Sequence, residues 1–158
     1  MPRPDMAVLA EGGLPTGQRW FLRAGGTSSD FYTFLLTIHP DGQRDEGGMG
    51  GPPLFPGSLM NTYTGSSDRG MCRVLVRADP RVARVRVHLG SGERLDLPPL
   101  AARPDLGVVF FATLLPSPAA LVSIAAIDEE GQVLEPQDLS RHEAARQRFL
   151  RQHGHPGD

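Results

Sequence analysis

The side chains best suited to chemistry in this chain are arginines. Arg73, Arg77, Arg84, Arg86 and Arg94, with His88 among them, fall in a stretch, 69–94, that holds seven of the sixteen arginines against only two acids, Asp79 and Glu93. A guanidinium is a planar fork that grips a carboxylate or phosphate through two parallel hydrogen bonds. The chemistry implied is recognition of an anion. Every cationic side chain is arginine and lysine is absent, a compositional bias that weakens any inference from arginine over lysine and leaves the clustering as the signal.

A second constellation has the residue types of a catalyst. His39, Asp41, Asp45 and Glu46 place an imidazole beside three carboxylates, a set able to do general acid–base work or to hold a divalent cation. The same residues also spell a turn, since Pro and Gly in His39-Pro40-Asp41-Gly42 stand where a tight turn wants them. Asn61, Tyr63, Ser66, Ser67 and Asp68 gather hydrogen-bonding groups that either line a pocket or solvate a loop. His153 and His155 sit in a Gly/Pro tail and read as tail rather than as a metal pair. Other chemistries lack their residues: without lysine there is neither a phosphate loop ending in Gly-Lys-Ser/Thr nor a Schiff base, and no Gly-x-Ser-x-Gly elbow or Cys-x-x-Cys pair occurs. No cofactor is expected.

Alternation positions the arginines. In Met71 to Arg77, Cys72, Val74 and Val76 share one face while Arg73, Leu75 and Arg77 share the other; in the next run Ala83, Val85, Val87 and Leu89 oppose Arg84, Arg86 and His88. The short link through Ala78, Asp79 and Pro80 predicts that these strands are antiparallel neighbours. In each register whose paired residue numbers sum to 159, 161 or 163, which keeps both valine rows on one side, at least one arginine then stands opposite another, at a cost of about 0.2–1 kcal/mol unless an anion intervenes. A three-residue Gly90-Ser91-Gly92 loop would set Asp96 opposite Arg86 and Arg94 opposite His88. Asp96 is therefore an internal rival to any outside anion.

Short apolar or alternating runs continue on either side: Trp20 to Ala24, Phe31 to His39, Arg94 to Leu97, Gly107 to Leu115, Ala120 to Ile127 and Gln132 to Leu134, each bounded by Gly, Pro or Asp turn chemistry. Ser58 to Thr64 adds a short edge strand. Gly107 to Leu115 shows no alternation, which predicts a central strand covered on both faces. Strands at this spacing argue for one antiparallel sandwich of seven to nine strands, occupying 18–136. Before it, 1–17 reads as a flexible arm; within it, the segment from His39 to Gly70 holds eight Gly and four Pro and reads as a long loop. After it, Ser140 and Glu143 have the spacing of a capping box, behind Leu139 as a staple, and predict a helix over 137–153 followed by a tail, 154–158.

The segment Val85 to Leu134 contains Val-Arg-Val-His-Leu-Gly-Ser-Gly-Glu, Gly-Val-Val-Phe-Phe-Ala and Ile-Ala-Ala-Ile-Asp-Glu-Glu-Gly-Gln-Val-Leu. It resembles the immunoglobulin-like repeats of uncharacterised actinobacterial proteins. The resemblance covers about a third of the chain and implies an antiparallel immunoglobulin-like sandwich used for protein contacts, with no activity attached. Cys72 is the only cysteine, so the disulfide of antibody domains is absent and the thiol reads as a buried small hydrophobe.

The functional expectation is a non-enzymatic interaction module whose Arg73, Arg77, Arg84, Arg86, His88 and Arg94 meet an acidic protein surface or an anionic ligand. The alternatives are a small enzyme or metal-dependent hydrolase built on the His39 cluster, and self-assembly as a homo-oligomer. Nucleic acid is disfavoured because the sequence pI is about 6.2 and no aromatic residue lies between Arg69 and Arg94. No apolar run approaches the roughly 20 residues that span a bilayer, and the residues after Met1 lack the form of a signal peptide. A cytoplasmic protein is expected.

Overall fold

A computed structural model describes residues 6–66, 71–116 and 121–138. The described residues are all-β apart from one 3-10 turn, Pro104–Leu106. Twelve strands form three antiparallel four-stranded sheets. The first sheet is a meander of β1 (Ala7–Gly13), β2 (Arg19–Gly26), β3 (Phe31–Ile38) and β4 (Arg44–Met49). The second has the order β5-β6-β10-β9, from β5 (Met60–Ser66), β6 (Met71–Ala78), β9 (Ala101–Arg103) and β10 (Val108–Pro116). In the third, β7 (Arg84–Leu89), β8 (Arg94–Leu97), β11 (Leu121–Ile127) and β12 (Val133–Asp138) run in the order β12-β11-β7-β8.

The second sheet is the middle layer. Its Val74, Val76, Phe111 and Leu115 pack against Val85, Val87, Ile124 and Ala126 of the third sheet. Its other face brings Leu75, Val108 and Phe110 onto Leu22, Ala24 and Phe31 of the first sheet, while Met71 and Leu114 meet Leu35. A strand apolar on both sides needs two covering layers, which is why β10 carries no alternation. The expected central strand is found there.

Several expectations are corrected. Within the expected arm over 1–17, residues Ala7–Gly13 instead form β1, which pairs with β2 from Ala7↔Ala24 to Gly13↔Arg19. The expected long loop yields β4, a glycine-rich strand that alternation could not mark; at Gly48 an added Cβ would overlap the Thr33 carbonyl and lie 2.7 Å from Phe34 Cα. Strand β12 runs to Asp138, past the expected start of the helix at 137, and the remainder of that segment lies outside the described residues.

The largest correction concerns β6 and β7, which are not neighbours. Both edges of β6 are taken, by β5 and by β10, and β7 lies in the third sheet between β11 and β8. The chain crosses between layers at a corner: Asp79 N–H donates to the Leu59 carbonyl at 2.8 Å, Val82 N–H to the Asp79 carbonyl at 2.9 Å, and Ala83 N–H to the Ile127 carbonyl at 2.8 Å. Val82 is buried beneath it. The two valine rows do meet, but face to face across a core rather than side by side in one sheet.

Candidate functional site

This corner divides the arginines. Alternation on β6 aims Arg73 and Arg77 at the first sheet, whereas Arg84, Arg86 and His88 on β7 point away from the core on the outer face of the third sheet. The single face of five arginines expected from the sequence does not form.

Arg77 is fully buried. Its Nη1 donates to the Phe31 carbonyl at 2.9 Å and to Thr33 Oγ1 at 3.2 Å; Nη2 donates to the carbonyls of Gly50 and Pro52, both at 2.9 Å. The guanidinium also lies 5.4 Å from the centre of the Phe31 ring, a cation–π distance. Burial pulls its pKa down to about 10. The four oxygens favour the charged form, as acceptors around a cation do. This arginine is a clamp that ties the start of β3 and the Gly50–Pro52 segment to the middle sheet. Three of these four acceptors could not be picked from the sequence, because they are backbone carbonyls, which every residue possesses.

Arg73 is also buried, at 6% exposure, but neither its Nε nor its Nη1 has a hydrogen-bond partner among the described residues. It stands opposite Gly65 on β5 and Leu114 on β10. Four residues on, the same face of the same strand gives both terminal nitrogens of Arg77 oxygen acceptors and leaves only its Nε without one among the described residues.

The outer face of the third sheet carries the remaining cations. Its register is the one expected from the Gly90-Ser91-Gly92 loop, with Arg86 opposite Asp96 and His88 opposite Arg94. Arg86 grips Asp96 bidentately, Nε to Oδ1 at 2.9 Å and Nη2 to Oδ2 at 3.3 Å. That hydrogen bonding holds the Asp96 carboxyl below its ordinary pKa, with a smaller contribution from the positive charges of Arg86, Arg84 and Arg94. His88 Nδ1 lies 3.1 Å from Ser123 Oγ. Arg94 and His88 are exposed, and together with Leu89, Gly92 and Glu93 they line a shallow open depression beside the β7–β8 turn. Arg84 and Arg94 form no ion pair among the described residues.

The His39 cluster does not converge. Asp41 Oδ1 accepts from the Gln43 N–H at 3.0 Å, closing the turn in which Gly42 N–H reaches the His39 carbonyl. Glu46 is ion-paired with Arg23. Neighbouring residues of a strand face opposite ways, so Asp45 and Glu46 cannot share a site. Asp45 alone meets His39, Oδ2 lying 2.6 Å from Nε2 of a buried ring. Among the described residues no group of three His, Cys, Asp or Glu side chains is placed to hold a metal.

Of the polar residues before Gly70, Asn61 is structural: its Oδ1 accepts from the Phe55 N–H and its Nδ2 donates to the Pro53 carbonyl. Tyr63 lies on the inner face beside Arg73 and Gly47, while 67 and 68 fall outside the described residues. Cys72 is half-buried and packs on the core between the second and third sheets. Burial pushes its thiol pKa up, and the nearby charge of Arg73 opposes this less strongly.

Comparison with protein-family models, curated proteins and solved structures finds no match. Among the described residues no helix is long and apolar enough to cross a membrane.

Proposed function

We propose that the protein is a binding module that offers the outer face of its third sheet to an acidic protein partner. The observation that carries this reading is the juxtaposition of Arg84, Arg86, His88 and Arg94 on one solvent-facing surface where Asp96 pairs with only one of them. Arg73 and Arg77 leave the proposed contact set because the first sheet covers them. An unpaired exposed cation gains little by itself in water. A row of them steers and orients an oppositely charged surface, chiefly through association rate and salt dependence.

The scaffold reading is an immunoglobulin-like sandwich with an extra layer. Lettering β5 to β12 in chain order as A, B, C, C′, D, E, F and G turns the second and third sheets into A-B-E-D and G-F-C-C′. Those are the sheets of the immunoglobulin arrangement with one added strand. On this reading the first sheet lies on the A-B-E-D face, leaving G-F-C-C′ as the open face of the sandwich, and β7 and β8 stand at its exposed end.

The test is fluorescence anisotropy of a labelled poly-glutamate peptide against the full chain, at low and high salt. The double variant Arg84→Glu/Arg94→Glu spares the Arg86–Asp96 pair. It is expected to weaken binding roughly tenfold, about 1.4 kcal/mol shared by two reversed charges, with an unchanged melting temperature. Equal affinity of the variant and the original chain sinks the proposal. Preference for a single-stranded oligodeoxythymidine probe over the peptide overturns the choice of an acidic protein partner.

A further inference from the structure

From the surroundings of Arg73 we infer a second, internal binding site: a small oxyanion, phosphate or carboxylate, held between the edges of the first and second sheets by Arg73 and the Tyr63 hydroxyl. A guanidinium removed from water without a counter-charge or acceptors is strongly disfavoured, and β6 itself shows the remedy four positions along, where the two terminal nitrogens of Arg77 have four oxygen acceptors. Arg73 is also buried, and its Nε and Nη1 are both unpartnered among the described residues, whereas in Arg77 only Nε is. The acid on the same inward face of β4, Asp45, is occupied by His39.

The neighbouring glycines shape the opening. A Cβ built on Gly47 of β4 would overlap the Tyr63 hydroxyl and lie 3.0 Å from Arg73 Nε, and one built on Gly65 of β5 would lie 2.5 Å from the same hydroxyl. Glycine on each of the two edge strands thus lets the Tyr63 hydroxyl and the Arg73 fork converge over Gly47. Both groups can donate hydrogen bonds, and a guanidinium with a neighbouring phenol suits an oxyanion with two or more acceptor oxygens. Tyr63 is only half-buried, which gives the site its route to water along the β4 and β5 edges. This site faces the first sheet and is independent of the acidic-partner surface on the third.

The experiment is a thermal-melt titration of the full chain with inorganic phosphate, and separately with acetate, at constant ionic strength set by sodium chloride. One of the two is expected to raise the melting temperature saturably, and which one does so separates a phosphate ligand from a carboxylate ligand. Arg73→Met is expected to weaken that binding by about tenfold or more, the loss of a charge-assisted contact. Tyr63→Phe should weaken it less. Should Arg73→Met not fold, the resonance of the Arg73 Nε–H group in arginine-labelled original chain supplies the readout, and it is expected to shift saturably with the same anion. Absence of saturable binding to either anion, or an unmoved Arg73 resonance, overturns the inference. So does binding that appears only in Asp45→Asn, because Asp45 would then be the counter-charge of Arg73.

Discussion

Replacing Arg77 by Met keeps a long, unbranched side chain in place while deleting every donor of the clamp. Four acceptors lose their partner: the carbonyls of Phe31, Gly50 and Pro52, and Thr33 Oγ1. Gly50 and Pro52 lie in a partly exposed segment and can turn to water. Phe31 and Thr33 are fully buried, so their two oxygens each bear about 1–3 kcal/mol of unsatisfied desolvation. Removing the buried guanidinium recovers part of its own desolvation cost, and the thioether gains some packing. The net expectation is a loss of about 3 kcal/mol, or roughly 6–12 °C in melting temperature for a chain of this size. Arg77→Lys, with three donors and no fork, should fall between the two. Circular-dichroism melts measure the loss, and hydrogen exchange locates it: the Phe31 amide, which donates to the Gly51 carbonyl at 2.7 Å, should lose protection before the amides of β7 and β11 do. A melting temperature within 1 °C of the original would show that the four bonds do not anchor the first sheet, and would refute the reasoning. Because the group titrates near 10, the clamp stays charged at neutral pH. Above that pH the native state holds fewer protons than the unfolded chain, and the cost of burying the charge fades.

The Arg86–Asp96 pair predicts a pH dependence. The Asp96 carboxyl is held below its ordinary value in the folded chain, so its contribution is fully present above the unfolded value near 3.8 and is lost as pH falls through the lowered folded value; Asp96→Asn should therefore flatten the acid limb of a melting-temperature profile below about pH 4, and an unchanged limb counts against the pair. Gly48→Ala drives a methyl into the β3 backbone, which should cost about 1–3 kcal/mol, as overpacking typically does, and release β4 amides to hydrogen exchange. A melt matching that of the original chain would show that β4 can shift to accept it.

The strands were legible wherever one face was apolar and the other was not. β2, β3 and β5 to β8 follow their hydrophobic runs, and the β7–β8 register follows from loop length alone. β4 hid because its glycines leave no pattern, and β1 because its sequence, AVLAEGG, holds only two large apolar side chains among its seven residues. The site was legible to the level of the strand and no further. Alternation correctly sorted Arg73 and Arg77 from Cys72, Val74 and Val76, but period-two patterning cannot say whether the polar side of a strand faces water or another sheet. Nor can it distinguish two valine rows lying side by side from two rows packed face to face. A sheet whose inner face presents Thr33, Thr37 and Gly47 beside Phe31 and Leu35 covers arginines without announcing it.

The covering sheet also gives the buried arginine a structural task that apolar packing cannot perform. Phe31, Leu22, Leu75 and Phe110 attract one another without direction, and such an interface tolerates sliding, since burial scales with area and little else. Hydrogen bonds do not tolerate it. The four oxygens around Arg77 come from β3 and from the segment after β4, and they surround the guanidinium in one placement of the first sheet on the second. A shift along the strands by one side-chain repeat would strand a buried cation. The apolar contacts hold the layers together, and Arg77 selects the alignment in which Gly47 comes over Arg73 and Tyr63. If Arg77→Met lets the sheets shift, anion binding at Arg73 should fall along with the melting temperature, although Arg77 itself touches neither Arg73 nor its ligand. Retention of that binding in an Arg77→Met chain that is otherwise destabilised would separate the clamp from the site and leave alignment to the apolar contacts alone.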